Sequence, residues 1–273
     1  MLAIKSNIMA ENAARHLGRN YDALAKSVER LSSGLRINSA KDDAAGLAVR
    51  ELMRADIAVI KQGARNAADG ISMLQTMEGA MAVIDEALVR MKELAEQAAT
   101  GSYSDSQRTI MNNEFSQMAT EIQRIAHDTK FNSIHLMDDS AAGGGNDATI
   151  HFGVGSSINI TSVNVTSSSL GISNSSLTTA ANAALALDTV TTAITRKDSA
   201  RASFGYMMNR LESTNAVLNI QAENLMASES RISDVDVATE MASLTRNQVL
   251  SQAGVSMLGQ ANSMPQMALN LLR

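Results

Sequence analysis

The chain has 273 residues, of which 45% are hydrophobic and 3% aromatic, and its single proline favours long uninterrupted helices over a loop-rich fold. The formal net charge of −5, from 23 basic and 28 acidic residues, does not favour a nucleic-acid surface. The absence of cysteine excludes disulfides, thiolate metal sites and cysteine nucleophiles.

The first twenty residues do not have the pattern of a secretory signal, because they lack a long apolar run and a small-residue cleavage site. No window of the sequence approaches the apolar length of a membrane helix. If the protein leaves the cell, we therefore expect it to use a route other than general secretion.

The first predicted helix carries apolar residues that alternate four and three positions apart, which is the heptad pattern of a helix that packs on another helix. These residues are Ala10, Ala14, Leu17, Tyr21, Leu24, Val28, Leu31 and Leu35. On period alone, an ordinary amphipathic helix of a globular domain is an equally good interpretation. The pattern stops at 31–39, where Gly34 and small polar residues favour irregular backbone.

A second helix is predicted to begin near Asp42 or Asp43 and to end near Thr100. One apolar phase runs through Ile57, Ile60, Ala64, Ala67, Ile71 and Leu74. A second phase, displaced at 74–77, runs through Met77, Met81, Ile84, Leu88, Met91, Ala95 and Ala98. Three glycines would weaken this helix in isolation, so we expect close helix–helix approach at Gly63, Gly70 and Gly79.

A turn at 101–105 precedes a third predicted helix that reaches about His127. Its apolar residues are Ile110, Phe115, Met118, Ile122 and Ile125. Because the connection is short, the second and third helices should run antiparallel.

The composition then changes to a segment rich in Ser, Thr, Asn and Gly, from Asp138 to about Ser176. Apolar residues alternate with other residues in three short runs, which predicts strands and a hairpin around 155–157. These runs contain Ile150, Phe152 and Val154, then Ile158 and Ile160, then Val163 and Val165.

Helical periodicity returns at about Leu177 and continues to the end of the chain, with an interruption after 228–230. The predicted core positions of the fourth helix are Leu187, Val190, Ile194, Lys197, Arg201, Phe204, Met208, Leu211, Asn215, Leu218, Ala222 and Leu225. Those of the fifth are Met241, Leu244, Gln248, Ser251, Val255, Leu258, Asn262, Pro265, Leu269 and Leu272. Four of these ten are poor core residues, so this helix needs a partner.

The predicted fold is therefore mainly α: an antiparallel helical coiled-coil rod built from both chain ends, which pairs the first helix with the last, with a small β-hairpin in the middle. The sequence contains no nucleotide-binding glycine motif, no zinc motif among its four histidines and no catalytic constellation. We expect no enzyme activity, no cofactor and no metal. The adjacent Asp42 and Asp43 are interpreted as helix N-terminal carboxylates rather than an acid–base pair.

Three stretches of the sequence closely resemble bacterial flagellins. They are LSSGLRINSAKDDAAGL at 31–47, AENL at 222–225 with SRISDVDVATE at 230–240, and a C-terminus with QAGVSML at 252–258, QAN at 260–262, Pro265-Gln266 and LLR at 271–273. Phe131-Asn132 also fits, and the likeness covers roughly 1–138 and 177–273. Only about forty residues stand where many flagellins insert large outer domains, so this is a short form.

The resemblance implies a structural subunit that polymerises into the flagellar filament for swimming and is exported by the flagellar type III apparatus. It implies a terminal coiled coil of 1–35 and 231–273 in the inner tube and a spoke of 36–46. A rod of 47–138 and 177–230 and a short surface segment of 139–176 complete the implied organisation. The implied coiled-coil contacts are Leu17, Tyr21, Leu24, Val28, Leu31, Val255, Leu258, Leu269 and Leu272.

The resemblance also implies partners: further copies of the chain, an export chaperone on the C-terminal helix, the filament cap and hook-junction proteins, and the animal Toll-like receptor for flagellin. No nucleic acid or membrane partner is implied. The surface that contacts neighbouring subunits and the receptor would contain Arg90, Glu93, Leu94, Gln97 and Glu114. We expect Leu94 to be an exposed apolar residue within a charged run.

Two alternatives remain open from the sequence. A hook–filament junction protein shares the terminal helices of flagellin but forms only a short ring. A chemoreceptor-like signalling coiled coil would form an unbroken four-helix hairpin, and the Gly-, Ser- and Thr-rich stretch at 143–176 does not favour it.

Overall fold

A computed structural model describes residues 7–138, 147–153 and 155–271 of the chain. Within these residues the chain forms five α-helices and one two-stranded antiparallel sheet, which confirms the predicted mainly α fold with a small β-hairpin. The helices are α1 (Ile8–Ser33), α2 (Ala44–Ala99), α3 (Asp105–Asp128), α4 (Ala180–Ser233) and α5 (Val237–Leu271). The strands are β1 (Ala148–Gly153) and β2 (Ser156–Ile160).

The chain forms two compact units, and both contain segments that are distant in sequence. We call the first the terminal unit; it holds the described residues of Met1–Ile57 and Glu223–Arg273. The second, the middle unit, holds those of Ala58–Ala222. No helix in the described part of the chain combines the length and apolar character that a bilayer span requires.

The core of the middle unit contains Ile60, Ala67 and Leu74 of the first predicted apolar phase of α2. Ala64 and Ile71 of that phase are half-buried, and the glycine before each of them is enclosed instead. The last residue of the first phase, Leu74, and all residues of the second phase are fully enclosed, which confirms the predicted change of phase. The residues of the second phase are Met77, Met81, Ile84, Leu88, Met91, Ala95 and Ala98. From α3, Phe115 and Ile122 join this core, whereas Ile110, also predicted for the apolar face, is 69% exposed.

Contacts between α2 and α3 confirm that these helices run antiparallel. The Arg90 guanidinium meets the Glu114 carboxylate at 2.8 Å, and Arg108 donates to the Ala98 carbonyl oxygen at 2.8 Å. Arg108 also donates to the Thr100 carbonyl oxygen at 3.0 Å, so it satisfies carbonyls at the end of α2.

The core-facing columns of α4 differ from the predicted ones at alternate positions. Val190, Lys197, Phe204 and Leu211 are buried as predicted. Between them the buried residues are Ala186, Ala193, Ala200 and Met207, each one position before the predicted Leu187, Ile194, Arg201 and Met208. The small alanines allow a close approach to the core, while the larger neighbours lie at its edge.

Lys197 is one of the buried charged residues of the middle unit, at 2% exposure. Its ammonium group forms ion pairs with Asp85 of α2 and, at 2.7 Å, with Asp198. Burial acts to lower the pKa of Lys197, but the two carboxylates outweigh it and the pKa is raised. Because a buried charge is tolerated only when it is paired, Lys197 fixes the register of α4 against α2.

The β-hairpin packs on α2 through backbone contacts. β1 and β2 pair with Ile150 opposite Ile158, which confirms the predicted hairpin; Val154 lies outside the described residues. Asn66 donates to the His151 carbonyl oxygen at 2.9 Å, and a Cβ at Gly63 would lie 2.6 Å from the Phe152 carbonyl oxygen.

Three details of the predictions for the hairpin segment and the glycines of α2 are wrong. Val163 and Val165 do not form a strand; their amides donate to the carbonyl oxygens of Leu136 and Met137 in an irregular segment. Gly63 faces the hairpin rather than a helix, and Gly70 lies near Ile150 as well as Leu211 of α4. Gly79 has nothing within 4 Å of a Cβ position, so it does not mark a close approach.

The two glycines of α2 give a matched pair of substitutions. Gly63→Ala should destabilise the protein by about 1–3 kcal/mol, because the new methyl group meets hairpin backbone that must shift. Gly79→Ala should stabilise it by about 0.5–1 kcal/mol, because alanine costs less chain entropy in an open helical position. Urea unfolding followed by circular dichroism measures both, and equal effects of the two substitutions would contradict the hairpin contact.

Candidate assembly surface

The first and last helices form an antiparallel pair in the terminal unit, as predicted. Asn7 at the start of α1 donates to the Ala261 carbonyl oxygen at 2.7 Å. Gly254 lies against Leu17, and Arg30 at the end of α1 reaches Glu240 at the start of α5, 3.5 Å away.

The columns of α1 and α5 that face each other consist largely of small or polar residues. On α1 they are Ala10, Ala13, Leu17, Asn20, Leu24, Ser27 and Leu31. On α5 they are Glu240, Leu244, Asn247, Ser251, Gly254, Leu258 and Ala261. All of these are buried or half-buried, and they follow the predicted heptad spacing.

Three of the predicted coiled-coil residues lie beside the facing columns of α1 and α5 rather than within them. Leu17, Leu24, Leu31 and Leu258 are half-buried between the helices, but Tyr21, Val28 and Val255 are about half exposed. The structure places a smaller residue one position earlier in each case, such as Ser27 before Val28. The predicted contacts of Leu269 and Leu272 lie outside the side chains that the structure describes.

Tyr21 and Val255, which lie beside the facing columns, line a groove along one side of the α1–α5 pair. Its volume is about 550 Å³. Its walls are Tyr21 and Leu24 of α1 and Gln248, Ser251, Gln252 and Val255 of α5. The Ser251 hydroxyl is buried beside it and has no hydrogen-bond partner among the described residues. A groove with exposed apolar rims and amide side chains can receive the side chains of another helix.

A connector at 34–43 attaches α1 to the junction of α4 and α5. Gly34 adopts the left-handed conformation that ends α1, with φ of 72°. The Arg36 amide donates to the Ser233 carbonyl oxygen at 2.7 Å, and the Val235 amide donates to that of Gly34 at 3.1 Å. Ile37 is buried, and its carbonyl oxygen accepts a bond from Arg50 of α2 at 2.8 Å.

The two adjacent aspartates of the connector have separate structural roles. Asp43 accepts a bond from the Gly46 amide at 2.8 Å, which caps the start of α2 as expected. Asp42 instead pairs with Lys26 at 2.7 Å and accepts bonds from the amides of Asn38 and Ser39. The bond from Lys26 is the main reason that the pKa of Asp42 is held well below its ordinary value.

A second candidate surface lies on α2 and α3 of the middle unit. Arg90 bonds Glu114 of α3 at 2.9 Å and Glu93 of its own helix at 3.1 Å. Gln97 donates to the Tyr103 hydroxyl at 2.9 Å. The structure thus brings the four predicted polar residues onto one exposed face.

Leu94 is not part of the exposed surface, and the expectation of an exposed leucine is wrong. Its side chain is 2% exposed and belongs to the α2 core with Met91 and Ala95. Ile110 is an exposed apolar residue of α3, one helical turn before Glu114. Sequence reasoning missed it because a lone apolar residue in an amphipathic helix is ordinarily assigned to the core.

In the described ranges, no three His, Asp or Glu side chains are grouped so that they could hold a metal ion. The two candidate surfaces are an apolar groove on the terminal unit and a charged face on the middle unit, and both carry side chains of the kinds found in protein interfaces.

Two family models match the chain. The bacterial flagellin N-terminal helical region matches residues 4–142, and the bacterial flagellin C-terminal helical region matches residues 187–272. A flagellin of Halalkalibacterium halodurans is 41% identical and a flagellin of Bacillus subtilis is 38% identical, each over the whole of both chains.

Two solved structures are similar in fold. The crystal structure of Bacillus cereus flagellin is 31% identical, with a TM-score of 0.52 over 60% of this chain and 94% of that chain. A putative flagellar hook-associated protein from Vibrio parahaemolyticus has a TM-score of 0.60 over 71% of this chain and 100% of that chain. It is 14% identical, so it shares the fold alone.

The burial of Leu94 predicts a stability effect. Leu94→Ala should destabilise the protein by about 2–5 kcal/mol, because it leaves a cavity in the α2 core. Val89→Ala, on the same helix at 47% exposure, should change stability by no more than about 0.5 kcal/mol. Urea denaturation of both variants is the measurement, and a Leu94→Ala variant as stable as the control would show that the leucine is not a core residue.

The lowered pKa of Asp42 predicts a loss of stability in acid. A carboxylate with a depressed folded pKa contributes stability above its unfolded pKa, ordinarily 3.8, and loses it as the pH falls through the folded pKa. Wild type should therefore exceed Asp42→Asn in unfolding free energy at about pH 6, and the difference should shrink below about pH 4. In a Lys26→Met background, the effect of Asp42→Asn on the unfolding free energy at neutral pH should be smaller. A difference between wild type and Asp42→Asn that does not change with pH would contradict the ion pair.

Proposed function

The chain belongs to the bacterial flagellin family and is a structural subunit of the flagellar filament, and from this premise we propose that the groove between α1 and α5 is its main polymerisation contact. The observation that carries the proposal is the set of apolar side chains beside the facing columns. Tyr21, Val28 and Val255 are about half exposed, although each occupies a position of the heptad pattern.

Burial of these side chains against another copy supplies a physical reason for polymerisation. Fully burying a side chain of this size is worth about 1.5–3 kcal/mol. One rim of the groove comes from α1 and the other from α5. A helix of a neighbouring copy that binds there contacts a two-helix surface that differs from the single helix face it presents. Such a contact is heterologous and open-ended, as a helical filament requires.

We propose that four parts of the chain form different domains of the filament subunit. Residues 1–35 and 231–273 form the inner tube, 36–46 the spoke, 47–138 and 177–230 the rod, and 139–176 a short surface segment. The hydrogen bonds from Arg36 and Val235 support the spoke role, because they hold the connector at the junction of α4 and α5. The small hairpin, packed closely on α2, supports the assignment of the middle segment to a modest outer surface.

The charged face of the middle unit is proposed as the surface for neighbouring subunits and for the animal Toll-like receptor. Arg90, Glu93, Gln97 and Glu114 offer exposed polar groups there. Leu94 would contribute indirectly, because its buried side chain packs α2 against the core. Ile110 adds an exposed apolar contact. Within the subunit, Arg90 already pairs with two carboxylates, so a partner must accept this arrangement or exchange one of the pairs.

Export through the flagellar type III apparatus, an extracellular filament that drives swimming, and contacts with the filament cap and hook-junction proteins complete the proposal. A chain without cysteine forms no disulfide that would prevent unfolded passage through a narrow channel. An export chaperone on the C-terminal helix is consistent with α5, since Val249, Val255 and Met257 leave apolar surface exposed along it.

Substitutions at Val255 and Tyr21, with Val249 as a control, test whether the groove is the polymerisation contact. Val255→Ser combined with Tyr21→Ser should raise the critical concentration for seeded polymerisation at least about tenfold, because each tenfold change corresponds to about 1.4 kcal/mol. Val249→Ser is the matched control: Val249 is 59% exposed, against 52% for Val255, but lies on another face of α5. Light scattering and electron microscopy follow the filaments.

Polymerisation of the double variant at the wild-type critical concentration would contradict the role of the groove. Equal impairment by Val249→Ser would place the main contact on another face of α5. Circular dichroism of the monomers checks that the variants keep the helical content of wild type.

A further inference from the structure

The sulfur atoms of this protein are divided unequally between its two units. The chain has 17 methionines and no cysteine, so the thioethers are its only sulfur groups. In the middle unit the enclosed methionines are Met73, Met77, Met81, Met91, Met111, Met137 and Met207. In the terminal unit, Met9 and Met257 are 65% and 64% exposed, and Met267, Met241 and Met226 are 49%, 47% and 39% exposed.

Three of these exposed methionines, Met9, Met241 and Met257, lie beside the seam between α1 and α5. Met9 and Met257 each lie one position before a residue of the facing columns, Ala10 and Leu258, and therefore lie on the side opposite the groove. Met241 lies two heptads before Val255 and belongs to the column that lines the groove. All three sulfur atoms thus border the helix pair whose apolar flanks are to be covered by neighbouring copies.

We propose that Met9, Met241 and Met257 are oxidation sites through which two-electron oxidants, such as hydrogen peroxide, control the polymerisation of the free subunit. In each reaction the thioether sulfur attacks a peroxide oxygen, the O–O bond breaks, and methionine sulfoxide and water form. The sulfur loses two electrons and the peroxide gains them, so no further reactant is needed. The effect on polymerisation rests on the proposed function.

The expected consequence follows from the polarity of the sulfoxide. Oxidation replaces an apolar, flexible side chain with one that carries a strong hydrogen-bond acceptor. An interface that buries this oxygen without a donor loses free energy, so oxidised subunits add poorly to a filament end. The middle unit stays folded, because its enclosed methionines react only when the unit opens.

The reaction is reversible, which distinguishes it from damage. Methionine sulfoxide reductases, one for each sulfoxide epimer, return the thioether. A subunit that is oxidised before assembly can therefore regain its ability to polymerise without new synthesis.

The first measurement is a peptide map of free subunits after brief treatment with hydrogen peroxide. Met9, Met241 and Met257 should be oxidised at least about tenfold faster than Met77, Met81 and Met91, in line with their exposure. Uniform oxidation of the two groups would overturn the assignment of the sites.

The second measurement is seeded polymerisation of treated and untreated subunits. Treated wild type should need at least about a tenfold higher concentration to polymerise, and a mixture of both reductase types should restore the original value. Polymerisation of fully oxidised subunits at the untreated concentration would overturn the proposal while leaving the filament function intact. Failure of untreated wild type would instead contradict the proposed function, and the peptide map would still decide the sites.

Two triple variants complete the test, each compared with its own untreated sample so that any change in basal polymerisation cancels. A Met9→Leu, Met241→Leu and Met257→Leu variant should lose the sensitivity to peroxide. A Met77→Leu, Met81→Leu and Met91→Leu variant should retain it. The opposite pattern would assign the effect to the core of the middle unit.

Discussion

Two paired helices can bury only the columns that face each other, and this limit determines how the terminal unit of the subunit behaves. Between α1 and α5 those columns contain Ser27, Ser251 and Gly254, so the pair itself encloses little apolar surface. The larger side chains, among them Tyr21 and Val255, lie on the flanks in contact with solvent. Helices with so little enclosed apolar area gain stability mainly from further packing, which a neighbouring copy can supply.

The middle unit buries its apolar side chains within a single copy, whereas the terminal unit leaves several of them exposed. This difference in burial agrees with the roles proposed for the two units. Its α2 column from Leu74 to Ala98 is completely enclosed, and Lys197 of α4 pairs with Asp85 of α2. The unit can therefore remain folded whether or not the subunit is polymerised. The connector bonds to the α4–α5 junction through Arg36 and to α1 through Lys26, and so joins these parts of the terminal unit.

The exposed flanks also account for the distribution of reactive groups. Methionine tolerates irregular surfaces because it is unbranched and flexible, so it suits both a core and an adaptable contact. In the core of the middle unit the sulfur atoms are shielded, whereas beside α1 and α5 they remain accessible until another copy covers them. The surface proposed for polymerisation thus also carries exposed thioether groups.

The sequence by itself determined the helices, their order, the antiparallel pairing of the first with the last, and the hairpin, because these follow from the period of apolar residues and from glycine and serine clusters. It also pointed to the family through long motifs at both ends. It did not determine which of two adjacent columns faces the partner. In α1 and α5, and over 187–208 of α4, alternate predicted positions are displaced by one residue. In most of these cases the heptad pattern favours the larger residue and close helix packing favours the smaller one. Likewise, only the tertiary structure decided that Leu94 is enclosed, that Ile110 is exposed and that Gly63 meets the hairpin backbone, since each depends on segments distant in sequence.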